Sequence, residues 1–233
     1  METLYEAFLD SAGICTDSRN AVENMIFFAL KGASFDGNKF TGDALERGCK
    51  LAVIDNPDTA KGKNYLLVDD VLETLQNLAL FHRKKLKIPI IGITGSNGKT
   101  TTKELIHSVL SRKFNTLSTE GNLNNHIGVP LTILKIRDQE IAVIEMGANH
   151  PGEIDFLCRI ALPGYGIITN IGKAHLEGFG SFEGVKKTKS ELYHFLSEAG
   201  GTAFVNGSNE ILAELSSNKH LRKVYYMGGS NPL

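Results

Sequence analysis

Residues 92–102 read G-I-T-G-S-N-G-K-T-T-T and follow the apolar run 88–91. A buried strand that breaks into glycines and then Lys-Thr at a helix start aims several backbone N–H groups, one ammonium and one hydroxyl at a single spot. That spot suits a nucleotide's phosphates and their Mg2+. Gly95 and Gly98 let the backbone wrap an anion without Cβ clashes, Lys99 can neutralise β/γ-phosphate oxygens, and Thr100 offers a hard oxygen to the metal. The cargo expected is ATP or GTP. The general pattern G-x-x-x-x-G-K-[ST] would place glycine at Ile93, so what remains is the shorter G-x-x-G-K-T of residues 95–100. An ordinary glycine-rich strand-to-helix turn is the plainer alternative. The apolar strand before it and the amphipathic pattern after it (Leu105, Ile106, Val109, Leu110) favour the phosphate reading.

Other polar residues converge on the same rim. In an open α/β sheet, ligands sit beyond the carboxyl ends of the strands. Glu145 closes the apolar run of A-V-I-E-M-G, and Asn170 closes another, with His175 just beyond. A carboxylate one strand over from a phosphate loop is placed to hold Mg2+, directly or through water. The plainer alternative is that Glu145 caps the helix that begins near Pro151. In a helix over residues 182–197, Phe182, Val185, Lys189, Leu192 and Leu196 fall on one narrow arc at about 100° per residue. Lys186 flanks that arc and Lys187 points away, as solvated charges do. A lysine within an apolar stripe either snorkels to water or is buried, and when buried it loses its proton, finds an anion or is chemically modified.

The elements that must position these residues alternate in type. Apolar runs at 26–30, 51–54 and 65–68 predict strands of a small N-terminal α/β domain. A helix over 71–86, ending in Arg83-Lys84-Lys85 before Pro89, predicts the junction. Strands at 90–94, 141–145, 166–170 and 203–206, separated by helices near 100–112, 152–161 and 182–198, predict a mainly parallel sheet covered on both faces. The expected division is an N-terminal domain over 1–82 and a P-loop-type central domain over 83–233, the latter incomplete. With 233 residues, 42% of them apolar, the chain can bury two such cores. A formal charge of −1 provides no field for nucleic acid or anionic membrane. Cys15, Cys49 and Cys158 lack C-x-x-C spacing and read as reduced, packed thiols of a cytosolic protein. No apolar run approaches the roughly 18 residues of a membrane span, so a cytoplasmic location without membrane insertion is expected.

Several longer motifs complete the pattern: G-N-L-N-N-H-I-G-V-P (121–130), I-E-M-G-A-N-H-P-G-E-I (144–154) and T-N-I-G-K-A-H-L-E-G-F-G-S (169–181). T-D-S-R (16–19) and F-D-G-N-K-F (35–40) join them in the first domain. Together with the phosphate loop, and over essentially the whole chain, these resemble the ATP-dependent Mur ligases of peptidoglycan synthesis. Within that family they are most similar to the branch that joins D-alanyl-D-alanine to UDP-N-acetylmuramoyl-tripeptide. The resemblance implies that Gly95, Ser96, Asn97, Gly98, Lys99, Thr100 and Thr101 hold ATP. It further implies that Thr100 and Glu145 hold one Mg2+, that His175 binds a second, and that Lys189 is carbamylated and helps position metals and γ-phosphate.

The resemblance also assigns Ser18, Arg19 and Asn38 to the UDP end of the substrate, and the Asn122 to Asn125 segment to the sugar or phosphates. His126 departs from the family, whose members usually carry an acidic residue there. The expected reaction passes through an acyl phosphate, with two small-molecule substrates and a monomeric enzyme. Family members carry a third, C-terminal ligase domain, expected to be absent here and to leave this chain weak or inactive alone. Two other functions fit the same motifs: another Mur-type or folylpolyglutamate-type ligase, or a non-catalytic nucleotide- or UDP-sugar-binding module.

Overall fold

The computed structural model describes residues 1–172 and 179–226; His175 lies outside the described residues. By contact the chain divides into Met1–Lys85 and Leu86–Leu233.

In the first unit, four strands form one parallel sheet in the order β1-β2-β3-β4: Gly13–Cys15, Met25–Phe28, Leu51–Ile54 and Tyr65–Leu67. Successive residues of β2 and β3 are buried (Ile26, Phe27 and Phe28; Ala52, Val53 and Ile54), which requires cover on both faces. One face collects Cys15, Phe27, Ala52 and Ile54 with Ala44 of helix α2 (Thr41–Glu46). Helix α3 (Val71–Lys85) packs against β2 and against α1 (Glu2–Leu9), burying Leu75 and Leu78. The expected strand at 26–30 is shifted and shortened: Ala29 N–H still donates to the Val53 carbonyl, but Leu30 N–H turns back to the Phe28 carbonyl and the chain leaves for the Lys31–Asp36 bridge. Both Cys15 and Cys49 are buried thiols, as is Cys158 in the second unit.

The second unit holds a six-stranded sheet, parallel at every pairing, in the order β10-β9-β8-β5-β7-β6. The strands are β5 (Ile90–Thr94), β6 (Thr116–Ser118), β7 (Ile141–Glu145), β8 (Tyr165–Ile168), β9 (Thr202–Asn206) and β10 (Arg222–Tyr226). The phosphate-loop strand β5 is central, flanked by β7 and β8, so the loops after all three open at one rim. Helix α4 (Lys99–Leu110) packs on β5, β6 and β7. Helices α5 (Gly128–Leu134), α6 (Glu153–Ala161) and α7 (Phe182–Ala199) lie side by side, and α8 (Glu210–Leu215) packs on β9.

Helix α4 does not bury the side its apolar pattern predicts. Leu105 and Val109 are 64% and 72% exposed, whereas Lys103 is 0% exposed. The phase of α4 is set at its first residue: Lys99 must face the loop, and Lys103, one turn on, then faces the sheet. On α7 the stripe is real but wider than the expected arc, since Thr188, Ser190, Tyr193 and Phe195 are buried beside Val185, Lys189, Leu192 and Leu196.

Candidate functional site

The loop after β5 is stapled to the loop after β8. The backbone N–H of Ser96 donates to the Asn170 carbonyl (3.0 Å) and that of Asn97 to Asn170 Oδ1 (3.1 Å). Thr169 Oγ1 donates to the Asn97 carbonyl at 2.6 Å, and Gly172 N–H to Ser96 Oγ at 2.9 Å. Gly95 has φ +143°, and a Cβ there would lie 2.0 Å from Thr169 Oγ1. Only glycine fits. Gly98, at φ +76°, enters α4 in the left-handed conformation, and no described side chain caps the helix. Its first N–H groups, with Thr101 exposed beside them, are therefore presented to an anion.

Glu145, 2% exposed at the end of β7, is held on both oxygens: Thr100 Oγ1 donates to Oε2 at 2.9 Å and Asn124 Nδ2 to Oε1 at 2.8 Å. The N-terminus of α6 is capped instead by Glu191 of α7, whose carboxylate accepts from Gly152 N–H (2.8 Å) and Asp155 N–H (3.0 Å). Glu145 is left facing the phosphate loop.

A cavity of about 420 Å3 opens at this rim, lined among others by Gly95, Ser96, Lys99, Asn122, Asn125 and Lys189. Lys189 is 2% exposed, so its stem does not carry the amine out to water. Its Nζ donates to the Ala148 carbonyl at 3.4 Å and sits 5.4 Å from the Phe179 ring centroid. Burial, then repulsion from Lys99, brings its pKa down to about 8. Burial lowers that of Lys99 as well, against the pull of Glu145. Two desolvated amines on one wall make a cavity for an anion. Asn125 contributes partly as structure, since its Oδ1 accepts from Ile127 and Gly128 N–H groups. His126 and His150 complete part of the wall.

In the first unit, Ser18 and Arg19 line a separate cavity of about 490 Å3 with Phe35, Gly37 and Phe40. The Arg19 guanidinium is paired with Asp17 at 2.6 Å. Asn38 is not on that wall. It is 3% exposed, its NH2 donates to Asp36 and Asp55 at 2.8 Å each, and its Oδ1 has no protein partner among the described residues. Sequence reasoning missed Thr119, whose Oγ1 accepts the Glu145 N–H at 2.9 Å, and Lys103, which donates to the Thr119 carbonyl. A threonine in an edge loop and a lysine in a helix of mixed polarity carry no local signal.

The parallel sheet, stapled glycine loop and bonded Thr100–Glu145 pair define a P-loop-type α/β nucleotide-site architecture. The family model of the Mur ligase middle domain matches residues 93–232, and that of the Mur ligase family catalytic domain matches residues 11–91. The chain belongs to the Mur ligase family. It is 43% identical over 196 residues to the UDP-N-acetylmuramoyl-tripeptide–D-alanyl-D-alanine ligase of Bacillus subtilis, covering 83% of this chain and 43% of the relative. Crystal structures of MurF from Acinetobacter baumannii (36% identity) and of MurF from Thermotoga maritima in complex with ADP (32%) each superpose with a TM-score of 0.85. Each match covers 96% of this chain and 52% of the other. The chain spans about half the length of the curated relatives it matches. Among the described residues no helix is long and apolar enough to cross a membrane.

Proposed function

We propose that this chain provides the UDP-substrate and ATP sites of a cytoplasmic, monomeric amide ligase of peptidoglycan precursor synthesis. The enzyme joins D-alanyl-D-alanine to UDP-N-acetylmuramoyl-tripeptide. One observation carries the reading: Lys99 and Lys189 line the same cavity as the glycine loop, and Thr100 is bonded to Glu145 beside it. The names of the relatives agree with it, as does the bound ADP of the Thermotoga maritima structure.

A carboxylate is a poor acyl donor at neutral pH, so the γ-phosphoryl group of ATP is first transferred to the tripeptide's terminal carboxylate. The dipeptide amine then attacks that acyl phosphate and phosphate leaves. Gly95, Gly98 and Thr101 offer backbone N–H groups to the phosphates, Ser96 and Asn97 fix the loop's shape because Asn170 takes their N–H groups, and Lys99 offsets charge on the transferred group. Their contribution is positioning and electrostatics. Thr100 and Glu145 are adjacent hard oxygen donors of the kind Mg2+ takes, with remaining positions left to phosphate and water. Bound there, and as a second ion that the family resemblance assigns to His175 and Lys189, Mg2+ would supply charge neutralisation. Lys189, with its depressed pKa, holds enough neutral amine to add CO2. The nitrogen bonds the CO2 carbon, a proton leaves to solvent, and a cation becomes a carboxylate-like ligand. In the first unit, Ser18, Arg19 and the aromatic wall of Phe35 and Phe40 receive the UDP end, with Asn38 behind the loop that shapes it.

Titration calorimetry of this chain with Mg-ATP, and separately with the UDP-sugar tripeptide, tests the reading. Both should bind, and Lys99→Ala should abolish the nucleotide heat while leaving the UDP-substrate heat intact. Failure of the unsubstituted chain to bind ATP would refute it.

A further inference from the structure

Lys103 is a fully buried ammonium that the reaction above does not use, and it does not line the cavity. Burying a charge is costly unless it is paired and hydrogen-bonded, so its partners indicate its purpose. Nζ donates to the Thr119 carbonyl and lies 2.8 Å from the Glu104 carboxylate, which is itself largely exposed. Thr119 is 1% exposed and continues the edge strand β6: its N–H donates to the Val143 carbonyl at 3.0 Å. Its hydroxyl accepts the N–H of Glu145 at 2.9 Å. Thr119 is also the root of the loop that returns Asn124 to the site. There Asn124 Nδ2 donates to Glu145 Oε1 at 2.8 Å, and the Asn124 carbonyl accepts from Gly147 N–H at 2.7 Å.

Resting on the proposed Mg-ATP site, we infer that Lys103 is a positioning residue for the Glu145 carboxylate, acting through Thr119 and the loop it anchors. Helix α4 thus grips Glu145 twice, directly through Thr100 Oγ1 and one turn later through Lys103 and Thr119. The glycine loop is braced independently, by Thr169, Asn170 and Gly172. Loss of the Lys103 ammonium leaves the buried Thr119 carbonyl unpaired and releases the aim of Glu145, without touching the phosphate cradle.

The test is ATP binding to the whole chain, with Mg2+ and in EDTA. Lys103→Met keeps the length and apolar stem. It should weaken Mg-ATP binding about tenfold or more, in the range seen when residues supporting a metal ligand are lost. Binding of metal-free ATP should stay within about twofold, because its contacts lie on the independently braced loop. Thr119→Val, which removes the acceptor of the Glu145 N–H while leaving Lys103 in place, should show the same metal-selective loss. It decides the matter if Lys103→Met does not fold. Hydrogen exchange at the Glu145 amide should accelerate in both. An equal loss with and without metal, or an unchanged Mg2+ dependence, overturns the inference. Wild-type chain that binds ATP no better with Mg2+ than in EDTA overturns the Mg-ATP reading itself and the inference with it.

Discussion

Replacing Lys189 by methionine should stabilise the protein at neutral pH, and the gain should vanish in alkali. An ordinary lysine has a pKa of 10.5, and burial with the nearby Lys99 brings that of Lys189 to about 8. The folded protein therefore sheds this proton before the unfolded chain does. Between about pH 8 and 10.5 the unfolded chain binds more protons, so raising the pH favours the folded state. Below that window the penalty for a buried cation is fully present, and above it the penalty is gone. At 1.36 kcal/mol per pKa unit, a displacement of this size amounts to about 3 kcal/mol. Methionine keeps the apolar stem without the charge, so the two proteins should differ most at pH 7 and converge by about 3 kcal/mol toward pH 10.5. Urea denaturation followed by circular dichroism, in CO2-free buffer with reductant, measures this, and titrating groups other than Lys99, whose repulsion with Lys189 the substitution removes, cancel in the comparison. A difference constant within about 1 kcal/mol across that range would refute the claim that Lys189 is charged and desolvated at pH 7. Adding 13C-bicarbonate to the wild type should flatten its curve and give a carbamate carbon resonance that Lys189→Met lacks.

Gly95→Ala should cost about 2–4 kcal/mol, from backbone strain at φ +143° and a methyl forced onto Thr169 Oγ1, and should abolish ATP binding. Adding Thr169→Ala should recover part of the stability, and strictly additive losses in the double-mutant cycle would show that the two residues do not meet. Glu191→Ala removes the carboxylate that accepts two N–H groups at the start of α6, and its unfolding midpoint should fall by an amount worth about 1–2 kcal/mol. An unchanged midpoint would mean that water caps the helix equally well.

What could be read along the chain was local. Alternation of apolar runs with helical periods announced an α/β protein with a parallel sheet, and the glycines before Lys99-Thr100 marked the loop, because a strand that turns into a helix around an anion needs those residue types in that order. The position of Lys189 in an apolar stripe was equally legible, since helical phase is a property of consecutive residues. Some short elements were not. Tyr65–Leu67 stood out as an uninterrupted apolar run, but the equally short strands at Gly13–Cys15 and Thr116–Ser118 mix small and polar residues and exist because a neighbouring strand completes their hydrogen bonds.

Helix α4 shows the limit most clearly. Its apolar residues Leu105 and Val109 face solvent while Lys103 is buried, because the loop at Lys99 sets the helix phase and the Thr119 carbonyl rewards an ammonium. Thr119 and Asn124 come from one stretch and Glu145 from another, and they act together only where β6 and β7 lie side by side. The sequence by itself determined which chemistries were available: a phosphate-wrapping loop, a carboxylate at a strand end and a lysine in an apolar face. Tertiary structure alone decided which groups share a cavity, and so which amine is desolvated by burial and repelled by a second cation and which carboxylate is aimed. Those are properties of distance through space, and the order of residues along a chain does not contain them.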